Sequence, residues 1–130
     1  MQVAHSIFVI DGTQDILDLI RLILEEEGYK VYASLTPPKN LTDIERLQPD
    51  LIILDFIPGK FIQRWQFLQR LKEFDTTTLI PIILCTVGLR EIHQQEDYLT
   101  KLGVKIIYKP FEIDDLLDAV HQAILLRSSY

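Results

Sequence analysis

LIILDFIPGK, residues 51–60, is four aliphatic residues closed by Asp55 and followed, three positions on, by a Pro-Gly pair. An apolar run with no polar alternation is a strand covered on both faces, the environment of a parallel sheet with helices on either side. A carboxylate desolvated without a partner costs several kcal/mol. The strand must therefore carry Asp55 to the rim of the sheet, where a cation can meet it.

Working outward, residues 5–10 (HSIFVI), 30–34 (KVYAS), 79–86 (LIPIILCT) and 105–109 (KIIYK) read as four further strands. Between them the apolar spacing turns helical. A helix over about 14–27 carries Ile16, Leu19, Ile20, Ile23 and Leu24 on one stripe, with Thr13 as N-cap and Gly28 as its stop. Pro37 and Pro38 mark a turn before a short helix on Leu41, Ile44 and Leu47. Ile62, Trp65, Leu68 and Leu71 define a helix over 61–74, Ile92 and Leu99 one over about 89–102 that Gly103 ends, and Ile113, Leu116, Leu117, Val120 and Ile124 a last one over 111–126. Five strands alternating with five helices predict an α/β domain, a doubly wound parallel sheet with right-handed crossovers.

A length of 130 residues with 48% hydrophobic content fits one domain over residues 1–130. The formal net charge of −6 argues against a nucleic-acid surface, which needs clustered Lys and Arg. The single Cys85 allows no internal disulfide, and no Cys or His pair has zinc-site spacing, so a cytoplasmic setting is expected. No apolar run approaches the roughly 20 residues that span a bilayer. Cys85 reads as a core residue, and His5, His93 and His121 are unclustered.

Ligands of open α/β sheets lie beyond the carboxyl ends of the strands. Those ends bear Asp11, Asp55, Thr86 and Lys109, and Lys109 is the expected counter-charge for Asp55. Taken singly, Asp11 is an Asx-turn former, Thr86 a β-branched filler and Lys109 a solvated terminus. Their joint placement favours one pocket.

With IFVID (7–11), LIILD (51–55), PIILCT (81–86) and YKPF (108–111) in this order, the chain resembles the receiver domain of bacterial two-component response regulators over essentially its whole length. The resemblance implies a flavodoxin-like (βα)5 sheet of strand order 2-1-3-4-5, and phosphoryl transfer from a histidine kinase or phosphotransfer protein to Asp55. It implies Mg²⁺ held by Asp11, Asp55 and the backbone carbonyl of Ile57, Thr86 and Lys109 on the phosphoryl oxygens, and a cis Lys109–Pro110 peptide. A carboxylate can form an acyl phosphate, and cations neutralise the oxygens in flight. Such a domain is a phosphoacceptor that assists its own transfer, not an enzyme with turnover. It signals to a separate downstream protein through its fourth helix, fifth strand and fifth helix, a face that also supports homodimers.

Three features depart from the pattern. Gly12 stands where the family has a second acid, so Mg²⁺ binding is expected to be weak or absent. The loop after Asp55 is one residue short before Pro58, which misaims the Ile57 carbonyl. Ile106 replaces the switch aromatic, and Tyr108, on the same side of the strand, is the alternative. These departures leave a second reading open: a pseudo-receiver that binds partners without phosphorylation. A flavin- or nucleotide-binding role fares poorly, because DGTQD (11–15) offers no Gly-rich phosphate cradle.

Overall fold

The computed structural model describes residues 4–128. It contains β1 (Ser6–Ile10), α1 (Gln14–Glu26), β2 (Lys30–Ser34), α2 (Thr42–Leu47), β3 (Leu51–Phe56), α3 (Phe61–Glu73), β4 (Ile82–Thr86), α4 (Arg90–Gln94), α5 (Glu96–Lys101), β5 (Val104–Tyr108) and α6 (Ile113–Ser128). The five strands form one sheet of order β2-β1-β3-β4-β5, as expected. Every pairing is parallel.

Because side chains alternate across a strand, the two faces collect separate cores. Leu51 and Ile53 of β3 join Leu17, Ile20 and Leu24 of α1 and Leu116, Val120 and Ile124 of α6. On the other face Ile52, Leu54 and Phe56 meet Ile44 of α2, Phe67, Leu68 and Leu71 of α3, Ile92 of α4 and Leu99 of α5. All six β3 residues are buried, Asp55 among them.

Four local expectations need correction. The helix expected over about 89–102 is two short helices, because Gln95 (φ −110°, ψ 8°) leaves the helical region between α4 and α5. Strand β4 starts at Ile82, since Thr77 makes a turn ahead of it: its buried hydroxyl donates to the Leu71 carbonyl and its own carbonyl accepts the Ile80 N–H. In α1 two apolar stripes compete and the sheet takes Leu17, Ile20 and Leu24, leaving Ile16 and Leu19 exposed. In α3 Ile62 is 70% exposed, whereas Arg64 sits at the inward positions i, i+3, i+4, i+7 with Phe67, Leu68 and Leu71. Gly28 and Gly103, at φ 91° and 81°, end α1 and α5 in a conformation that glycine adopts without strain.

Candidate functional site

Asp11 follows β1 and Asp55 is the last residue but one of β3, neighbouring strands in register from Ile7↔Leu51 to Ile10↔Leu54. The two carboxylates therefore emerge side by side at the carboxyl edge. Both are buried, at 3% and 1% exposure, so each needs partners.

Asp55 finds them in Gly12 and Arg64. The Gly12 N–H donates to Asp55 Oδ2 at 3.1 Å, and Arg64 Nε donates to Asp55 Oδ1 at 3.1 Å. Arg64 is itself only 3% exposed, so this is an ion pair out of water. The counter-charge of Asp55 is thus Arg64 of α3, in place of the expected Lys109. Sequence reading misses Arg64 because it lies within α3, where the apolar spacing of Ile62, Trp65, Leu68 and Leu71 points to a different inward stripe. The available signal was an arginine at core spacing with Phe67, Leu68 and Leu71, one turn into the helix that follows an aspartate-tipped strand.

Asp11 accepts the Thr13 N–H on Oδ1 at 3.0 Å, an Asx-type turn into α1, and faces Lys109 Nζ across 3.9 Å from Oδ2. Thr13 holds the N-cap position without a side-chain cap bond. Burial pushes the Asp11 carboxyl above its ordinary pKa, as does neighbouring Asp55, while the Thr13 N–H, Lys109 and Arg64 oppose the rise.

Thr86 ends β4 fully buried, one register step beyond the Asp55–Cys85 pair, and its hydroxyl donates to the Val87 carbonyl at 2.7 Å. Lys109 lies just past β5, anchored by its N–H on the Thr86 carbonyl at 2.7 Å, and the Lys109–Pro110 peptide is cis, as expected. Cys85, beside Asp55, is no nucleophile: burial pushes its thiol up to about 12.

The Ile57 carbonyl accepts the Lys60 N–H at 3.1 Å, closing the short loop on itself. A divalent cation such as Mg²⁺ asks for several free oxygen donors in near-octahedral array. Here both Asp55 oxygens and both Asp11 oxygens already face donors or cations, and the Ile57 carbonyl is engaged. No group of three His, Cys, Asp or Glu with metal-holding geometry occurs among the described residues. The donor set does not fit the ion.

A second polar cluster joins α4, α5 and β5. Tyr108 donates its hydroxyl to Glu96 Oε1, His93 Nδ1 lies 3.0 Å from the same oxygen, and the His93 and Tyr108 rings stack at 5.1 Å. Ile106 and Tyr108 pack on the same core, on one side of the strand as expected. The gap between α4 and α5 lets Glu96 turn back to both partners.

Residues 7–121 match the family model described as the response regulator receiver domain. The chain is similar to the DNA-binding dual master transcriptional regulator RpaA of Synechocystis, at 32% identity over 94% of this chain and 49% of that protein. It is similar to the sporulation initiation phosphotransferase F of Bacillus subtilis, at 29% identity over 96% of this chain and 98% of that one. It spans about half the first relative and nearly all of the second. Among solved structures, a CheY-like receiver domain protein of Methanospirillum hungatei superposes with a TM-score of 0.82 at 23% identity, covering 98% of each chain.

Proposed function

The chain belongs to the response regulator receiver domains, and from that premise we propose that it serves phosphorelay signalling as a protein-contact module whose Asp55 is held in a fixed ion pair and is not phosphorylated. The observation that supports this reading is the buried bond from Arg64 Nε to Asp55 Oδ1 at 3.1 Å. An attacking carboxylate must turn a free lone pair toward phosphorus while cations gather the departing charge. For Asp55 to do so the guanidinium has to leave first, and separating a buried pair costs about 3–5 kcal/mol. On that scale phosphoryl transfer slows by roughly a hundred- to several-thousand-fold.

The recognition surface on this reading is α4, α5, β5 and α6. A groove of about 400 Å³ between β5 and α6, lined by Lys105, Tyr108, Phe111, Asp115, Ala119 and Gln122, supports it. The partners proposed are a histidine kinase or phosphotransfer protein on one side and a downstream protein on the other, in the cytoplasm. No described helix is long and apolar enough to cross a membrane.

Incubation with acetyl phosphate, with and without Mg²⁺, followed by intact-mass measurement tests the reading. The expected spectrum is unmodified protein. The competing reading, supported by Thr86 and Lys109 standing at the same edge, makes Asp55 a working phosphoacceptor. A phosphoryl adduct on the wild type that vanishes in Asp55→Asn would establish it instead.

A further inference from the structure

Gly12 and Arg64 share a volume. A Cβ built on Gly12 would lie 3.6 Å from Arg64 Nη2 and 3.8 Å from Asp55 Oδ2, with the tip of Ile57 at 3.3 Å. A methyl fits there, because the first two distances are ordinary contacts and the Ile57 Cδ1 tip is free to turn. A carboxylate one bond further out would run into the guanidinium and, bearing the opposite charge, would pull it away from Asp55.

We infer that the Arg64 guanidinium is the resident cation of this pocket and that the lack of an acidic side chain at Gly12 makes room for it, so that the pair excludes divalent metal ions. The inference rests, as the functional reading does, on the buried ion pair of Arg64 with Asp55. It holds whether or not phosphate can reach that side chain.

Charge decides the matter. Asp11 and Asp55 face Arg64 and Lys109, two carboxylates against two cations, all within electrostatic reach of Asp11. A divalent ion entering this balanced set would bring two positive charges with no free carboxylate to offset them, beside acids that are themselves buried and poorly screened by water. Changing Gly12 to aspartate and Arg64 to alanine leaves three carboxylates and one cation, the balance an oxygen-loving dication needs. Neither change alone does this. Gly12→Asp leaves the guanidinium competing for the same carboxylates, and Arg64→Ala leaves only two acids with Lys109 still present.

The experiment uses Mn²⁺ as a paramagnetic probe and Mg²⁺ as a stabiliser. With millimolar Mn²⁺, the backbone amide signals of Gly12, Thr13 and Asp55 in the wild type should keep their intensity, and Mg²⁺ should leave the melting temperature unchanged. In Gly12→Asp/Arg64→Ala the corresponding amides should broaden and Mg²⁺ should raise the melting temperature, because a ligand that binds only the folded state stabilises it. Broadening of those amides in the wild type would overturn the inference. So would a double variant that is folded by circular dichroism and binds neither ion. Should that variant fail to fold, Gly12→Asp/Arg64→Gln keeps the side chain's bulk without its charge, and the wild-type Mn²⁺ titration stands on its own. A phosphoryl adduct on a wild type that binds no metal would sink the functional reading and leave this one intact.

Discussion

Arg64 donates through Nε to Asp55 Oδ1 at 3.1 Å, and neither side chain is more than 3% exposed. The pair crosses from α3 to the tip of β3, so it ties a helix of one sheet face to the central strand. Losing one member of a buried pair leaves an uncompensated charge, which is worse than losing both. Arg64→Ala is therefore expected to lower unfolding free energy by about 3–5 kcal/mol. That corresponds to a melting temperature lower by roughly 10–20 °C. The double replacement Arg64→Met/Asp55→Leu should recover most of that loss. Urea denaturation of Arg64→Ala, Arg64→Met, Asp55→Leu and the double variant, the last three read with the wild type as a double-mutant cycle, checks both statements. Near-additive losses would show that the two side chains do not depend on each other.

Gly12→Ala makes the opposite case a few ångströms away. Gly12 is not among the glycines at positive φ, and the tightest neighbour of a new Cβ is the tip of Ile57 at 3.3 Å. The expected change in stability is within about 0.5 kcal/mol, the range of ordinary surface substitutions. Thermal unfolding beside the Arg64→Ala variant measures the contrast. A loss comparable to that of Arg64→Ala would mean that the pocket tolerates no side chain at all at this position.

Asp11 gives a pH-dependent prediction whose sign runs against the usual carboxylate. Burial is the largest influence on it and raises its folded pKa above the ordinary 3.8. A raised carboxylate pKa means that the folded state prefers the protonated form. Its contribution to stability is thus fully present below pH 3.8 and is lost as pH rises through the folded value. Asp11→Asn keeps an acceptor for the Thr13 N–H and removes the buried charge, so it should stabilise the protein at pH 7. The gain should fade as pH falls through the raised folded value and be gone below pH 3.8. Urea midpoints of wild type and variant across that window decide it, and a variant less stable at pH 7 would show that the 3.9 Å contact with Lys109 outweighs desolvation.

The parallel sheet was readable because buried parallel strands announce themselves as unbroken apolar runs, and LIILD and PIILCT are such runs, whereas the strand order came from the resemblance those motifs carry. The polar tips Asp11, Asp55, Thr86 and Lys109 followed from the strand ends, and the sheet does bring Asp11 beside Asp55 and Lys109 within 3.9 Å of Asp11. What periodicity could not assign was helix rotation. Helix α1 carries apolar residues at both Ile16/Leu19 and Leu17/Ile20/Leu24, so only tertiary packing chooses between them. In α3 the same ambiguity hid Arg64, since an arginine is counted as polar by default and becomes a core residue only when a buried carboxylate waits for it. Gly12 pointed to a missing acid, while the cation now beside Asp55 lies 52 positions further along the chain.

Tyr108 and Glu96 supply the last prediction, on the face proposed to contact partners. Burial, and secondly the bond to Glu96, push the Tyr108 hydroxyl up to about 12. The same bond, followed by that from His93, holds the exposed Glu96 carboxyl below its ordinary value. For Tyr108 the linked stability is present below pH 10 and lost as pH rises through about 12. For Glu96 it is present above pH 4.5 and lost as pH falls through the lowered value. Across the neutral range, then, the bond holds and β5 stays tied to the start of α5. Glu96→Gln should bring the Tyr108 midpoint down from about 12 but not back to 10, because burial is the larger cause and remains. Tyr108→Phe should let the Glu96 midpoint rise only part of the way, since His93 Nδ1 still lies 3.0 Å from its oxygen. Ring-carbon NMR of labelled tyrosine and side-chain carboxyl NMR of Glu96 read the two midpoints. If the Glu96→Gln variant titrated Tyr108 at the same pH as the wild type, the hydroxyl would not be bonded to Glu96 in solution, and α5 would be free to move against β5.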